Sequence, residues 1–169
     1  MNARSAWYWP TPISPDDDEE LAGRFYVVEG RVDGQRPYRL LVDVRWVPVS
    51  PLPELDGMPP TQGFFTADIT RPEAARVAIL RLPFDQGLFA YDLAEKLLAS
   101  EGLELFEDSP ASHVDFRGVA RGGGRLGYVS IAQHEGYWHI AFGLGAEDDL
   151  DGLDGVRASW ATFHLVQPA

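Results

Sequence analysis

The sequence predicts an α+β domain built mainly on an antiparallel β-sheet of about eight strands, with one main helix at about residues 86–101 and a short helix near the N-terminus. Three observations carry that reading. Tyr38, Leu40, Val42, Val44 and Trp46 are apolar at every second position, the period of a strand with one buried face. Residues 112–144 repeat that period in three runs separated by short turn signals. Leu88, Tyr91, Leu93, Leu97 and Leu98 instead recur at helical spacing and stop at Gly102, which describes an amphipathic helix packed on a sheet.

Length and composition bound the rest. The chain has 169 residues, 45% of them apolar, with 5 Trp, 6 Tyr and 9 Phe, so one core of ordinary size and a single domain over 1–169 are expected. The absence of cysteine excludes disulfides, thiolate nucleophiles and sulfur-ligated zinc. With 26 acidic against 14 basic residues the formal net charge is −12. Such a field repels phosphate backbones and anionic membranes and suits a basic protein partner or a cation. No run approaches ~18 apolar residues and no apolar stretch of signal-peptide length stands at the start, so the cytoplasm is the expected compartment.

Taken in order, Trp7-Tyr8-Trp9-Pro10-Thr11-Pro12 reads as an extended arm over 1–13 whose rings lie on the domain or on a partner. Ser14-Pro15-Asp16-Asp17 is a helix start, with a serine cap, proline at the first position and carboxylates facing the dipole, and Gly23 is its stop. Strands follow over 24–32 and 38–47 around the turn dipeptide Asp33-Gly34. Residues 48–62 hold five prolines and form a long irregular connection. Residues 63–70 are a strand. Pro72-Glu73-Ala74-Ala75 resembles a helix start, but 77–82 reads as a strand. Asp85 caps the main helix. Strands at about 112–120, 125–132 and 136–144, an acidic glycine-rich loop over 147–155 and a last strand over 157–166 complete the chain.

The candidate site is a polar row on the three-strand meander. Trp138, Ile140, Phe142 and Leu144 take the core side, which sends Tyr137 and His139 to the other face. Val114 and Phe116 likewise leave His113, Asp115 and Arg117 opposite them, and Val129 and Ile131 leave Tyr128 and Ser130. Even-length turns pair Asp115 with Ser130, Arg117 with Tyr128, and Ser130 with His139. A catalytic triad is disfavoured there: Ser would be the middle residue, Asp and His would stand roughly 9 to 10 Å apart, and a flat strand offers no oxyanion hole. Two readings remain, a solvated face or a concave binding face with Arg117 as a fork for a carboxylate or phosphate.

Other motifs are weaker. Gly122-Gly123-Gly124-Arg125-Leu126-Gly127 has dinucleotide-motif spacing but precedes a strand, so it is a hairpin loop, with Arg117, Arg121 and Arg125 as the one basic patch nearby. Glu147, Asp149 and Asp151 match the early positions of a calcium loop, but Ala158 stands where the bidentate Glu belongs. They are the weak candidate for a metal; otherwise no metal and no cofactor is expected. These readings favour a non-enzymatic binding protein engaging a basic protein partner, such as one that it neutralises or regulates, through its acidic surface, the arm at Trp7, Tyr8 and Trp9, or the row Asp115, Arg117, Tyr128, Ser130, Tyr137 and His139. Neither nucleic acid nor membrane is expected as a partner. The alternative is a small-ligand-binding protein or enzyme with a pocket between the sheet and the 48–62 loop, using Asp115, Arg117 and His139.

Overall fold

Runs of β-branched and aromatic residues at alternate positions form most of the framework. The computed structural model describes residues 23–32, 35–84, 87–108 and 115–165. Their element order is β1 (Phe25–Val32), β2 (Gln35–Asp43), β3 (Val47–Pro48), β4 (Thr61–Thr66), β5 (Arg76–Pro83), α1 (Ala90–Ser100), β6 (Glu104–Asp108), β7 (Asp115–Gly122), β8 (Arg125–His134), β9 (Tyr137–Ala146), α2 (Leu150–Thr162) and β10 (His164–Leu165). The strands make two antiparallel sheets, a small one ordered β1-β2-β10 and a large one ordered β3-β4-β5-β9-β8-β7-β6. This is the α+β antiparallel architecture that the sequence predicts. The arm 1–13, the short N-terminal helix and the Asp33-Gly34 dipeptide lie outside the described residues.

The large sheet is covered on both faces. On one, α1 lays Ala90, Leu93, Ala94, Leu97 and Leu98 against Leu80, Phe116, Val129, Ile131, Trp138, Ile140 and Phe142. On the other, α2 and the small sheet contribute Tyr38, Leu40, Val42, Leu153 and Val156 against Phe65, Val77, Ile79, Tyr128 and Ala141. Alternation along each strand divides the side chains between the two cores. Trp138, Ile140, Phe142 and Leu144 all take the α1 side as the sequence implies, and the opposite face is equally interior.

Several expectations are corrected. Residues 157–166 are not a strand: α2 runs over Leu150–Thr162 and only His164–Leu165 pair with β2. Likewise, residues 147–155 are not an extended acidic loop, because Asp149 caps α2, its carboxylate accepting a hydrogen bond from the Gly152 N–H at 3.0 Å. Pro72–Ala75 is a turn, and the strand begins at Arg76. The main helix starts at Ala90, with extended Phe89 before it, five residues after Asp85. Val44 is 49% exposed because β2 ends at Asp43 and the chain turns there. Among the described residues there are ten strands against the expected eight, the two-residue β3 and the edge strand β6 being added and β10 standing for the expected last strand.

Candidate functional site

The two hairpins of the meander close on two-residue turns. Gly123 and Gly124 have φ of +59° and +77°, and Glu135 and Gly136 have +49° and +82°, the left-handed pairs that a hairpin turn of this length needs. Gly122 therefore faces Arg125, and His134 faces Tyr137. Both registers are two residues away from the expected ones, which preserves every side chain's face and changes every partner. Arg117 lies opposite Ser130, Val119 opposite Tyr128, and Asp115 opposite Ala132, which in turn faces His139. Ser130 faces Ala141 rather than His139, and the expected row of Asp115, Ser130 and His139 does not form. His113 lies outside the described residues.

Most of the polar face is interior, with Asp115 exposed and Tyr137 half-buried. Arg117, Ser130, His139 and Tyr128 are 2–4% exposed, and α2 covers Arg117 and Tyr128. The Arg117 guanidinium donates to the carbonyls of Trp160 at 2.7 Å and Phe163 at 2.6 Å, capping the carbonyl end of α2. Burial lowers its pKa to about 9 against the opposing pull of the Asp115 carboxylate. Tyr128 receives a 2.9 Å hydrogen bond from Arg157 Nε on α2, and the Trp160 indole N–H donates to Val129 O at 2.8 Å. Arg117 is thus a clasp between sheet and helix, not a fork for a ligand. Burial, aided by the charges of His134 and Arg81, pushes the His139 pKa down to about 4 over the opposing hydrogen bond with His134. An imidazole that stays neutral in this way is poorly matched to proton transfer near neutrality.

The acidic motif is likewise absorbed into structure. Asp43, fully buried, accepts from the backbone N–H of Arg45 at 2.9 Å and from its guanidinium at 2.8 and 3.0 Å. Burial works to raise its pKa, and the hydrogen bonds and charge of Arg45, with the charge of Arg24, outweigh it and lower it. Asp151 bridges Arg24 at 3.1 Å and Arg45 at 2.9 Å, tying the N-terminus of α2 to β1 and β2. Glu147 pairs with Arg121 at 3.6 Å. Glu147, Asp149 and Asp151 thus have separate roles, and among the described residues no group of three or more acidic or histidine side chains is placed to hold a metal. Nor is the expected arginine patch continuous: Arg117 is interior, Arg121 lies over the Phe106 ring at 4.3 Å, and Arg125 donates to Glu101 O at 2.5 Å.

A pocket does lie between the sheet and the proline-rich connection, on the opposite, α1 side. It encloses about 260 Å³. Leu80, Phe142 and Leu144 form its apolar floor, Leu55 and Met58 of the connection form a wall, and Glu54 and Asp56 stand at its rim with Arg76 and Glu101. The connection is anchored: Thr61 Oγ1 donates to Pro53 O at 2.8 Å, Met58 N donates to Leu55 O at 3.0 Å, and Gly57 lies against Ser100 at the end of α1. Arg76 forms an ion pair with Glu101 at 3.6 Å and donates to Pro72 O. Burial lowers its pKa, with the nearby charge of Arg125 adding to the effect and Glu101 opposing it. None of Asp115, Arg117 and His139 lines this pocket, which is a correction to the polar groups expected there. The sequence signal that marks it is the proline-rich connection itself, of whose apolar residues Leu55 and Met58 fold back onto the sheet.

No protein-family model matches the chain, and no curated protein matches it. Among solved structures it is similar to cyanobacterial PsbP (CyanoP) from Synechocystis sp. PCC 6803, at 19% identity and a TM-score of 0.54 over 85% of this chain and 93% of that one. It also aligns with LpqN of Mycobacterium tuberculosis, described as involved in cell envelope biogenesis, at 14% identity and a TM-score of 0.45, over 90% of this chain and 96% of that one. At the identity of the first comparison the likeness concerns architecture, and the chain has a PsbP-like α+β fold.

Proposed function

We propose that the protein is a non-catalytic binding protein of the cytoplasm that takes a basic segment of a protein partner into the pocket between the large sheet and the proline-rich connection. The carrying observation is the pairing of an apolar floor with an acidic rim: Glu54, Asp56 and Glu101 face a single cation, Arg76, in a chain of net charge −12. An apolar side chain on the floor and an adjacent Arg or Lys at the rim satisfy both features. Size supports a side chain or two over a large cofactor, since about 260 Å³ is below the roughly 300–1,000 Å³ of typical small-molecule sites. Arg117 does not compete for this role, because its guanidinium already serves the end of α2.

Met58 supplies a direct reporter, being one of two methionines. With ¹³C-methyl methionine in the full chain, acetyl-Leu-Arg-Leu-amide is expected to shift the Met58 methyl resonance, and acetyl-Leu-Glu-Leu-amide is not. Reversing the exposed rim with Glu54→Lys and Asp56→Lys should abolish the shift. An unmoved methyl, or equal response to both peptides, would overturn the proposal.

A further inference from the structure

We infer that the outer edge of β6, with the groove between it and α1, is a second docking site, for an extended partner segment in which basic and apolar residues alternate. This surface lies on the other side of α1 from the proline-rich connection, and the argument for it stands without that pocket.

Among the described residues β6 is an edge strand, paired only with β7. Edge strands present a row of backbone N–H and C=O groups to an incoming chain. Beside this one runs a groove of about 520 Å³ with Leu98, Leu103 and Leu105 in its lining and the carboxylates of Asp92, Glu95 and Glu104 along it. Lys96 is the one cation there. A strand laid against β6 sends alternate side chains to opposite faces. One set enters the apolar groove, and the strand as a whole lies along an edge whose sequence is Glu-Leu-Phe-Glu-Asp.

A local irregularity in β6 guards its edge against unselected pairing. Its register shifts between Leu105 and Glu107, and the ring of Phe106 lies under the Arg121 guanidinium at 4.3 Å. Leu105 meanwhile lines the groove. Charge selects the occupant: a second copy pairing edge to edge would bring Glu104 and Glu107 against their like, which is repulsive, whereas a basic strand is attracted.

The experiment uses the full chain and a twelve-residue peptide of alternating Lys and Val, read by amide hydrogen exchange. Bound peptide should slow exchange across residues 104–108. Methylating alternate peptide nitrogens removes donors from one edge and should weaken binding about tenfold or more. The double variant Glu95→Lys, Glu104→Lys, both exposed, should lose a similar factor. The Glu54→Lys, Asp56→Lys variant should keep the protection of β6, which separates this site from the pocket. The inference is overturned if exchange in 104–108 is unaffected, if the methylated peptide binds equally well, if rim reversal removes the protection, or if sedimentation shows β6 occupied by a second copy.

Discussion

The imidazole of His139 is 3% exposed and its pKa is pushed down to about 4, so the folded protein holds it neutral where an unfolded chain would accept a proton near 6.5. Between those values the unfolded state binds more protons, and stability therefore falls as pH drops from about 6.5 toward 4 and levels off below. His164, also lowered by burial, acts in the same direction. Asp115 acts in the opposite one: although exposed, its carboxyl is partly desolvated, which raises its pKa despite the charge of Arg117. Comparison with a variant isolates His139: between pH 7 and 5 the wild type should lose up to about 2 kcal/mol more than His139→Gln in urea unfolding. Identical pH dependence in the two proteins would refute the assignment. The facing of this residue was legible in the sequence, since Trp138 and Ile140 flank it, but its burial was not. A period of two states which residues share a face and says nothing about what covers that face.

At the scale of elements, α2 was the hardest to read. Its inner face consists of Gly152, Leu153, Gly155, Val156, Ser159 and Thr162, helical in spacing but with only Leu153 and Val156 as sizeable apolar residues, so that no continuous apolar stripe marks it. Those small residues let the helix sit close to the sheet and bond to it: Ser159 Oγ donates to Leu41 O at 2.7 Å, and Leu41 N donates to Thr162 Oγ1 at 2.8 Å. Gly143 on β9 marks the closest approach, where an added Cβ would stand 2.4 Å from Val156 Cγ1. Gly143→Ala should accordingly cost about 1–3 kcal/mol, read from the urea midpoint, and Val156→Ala in the same chain should recover part of it. By contrast α1 was legible because leucines carry its packing. The hairpin registers were missed for a narrower reason: several glycines crowd 122–127, and the turn at Glu135-Gly136 places a non-glycine residue at positive φ.

Across the whole molecule, the large sheet separates two kinds of surface. One face packs against α2 and the small sheet, with Arg117 and Tyr128 bonded to α2 and the residue after it. The other carries α1, flanked by an acid-rimmed pocket on one side and an acidic strand edge on the other. The sequence singled out the proline-rich connection and gave the polar row its correct face, but it did not show that α2 covers much of this face or that the row lies away from the pocket, because α2 is a helix that composition concealed. The central claim is that the Arg117 row is internal structure while recognition occurs on the α1 side. Its most direct test is Arg117→Lys, which keeps the charge and loses the fork that reaches both Trp160 O and Phe163 O. The expected result is a stability loss of about 1–3 kcal/mol with the Met58 methyl response to acetyl-Leu-Arg-Leu-amide unchanged. Full stability together with a lost response would contradict the account.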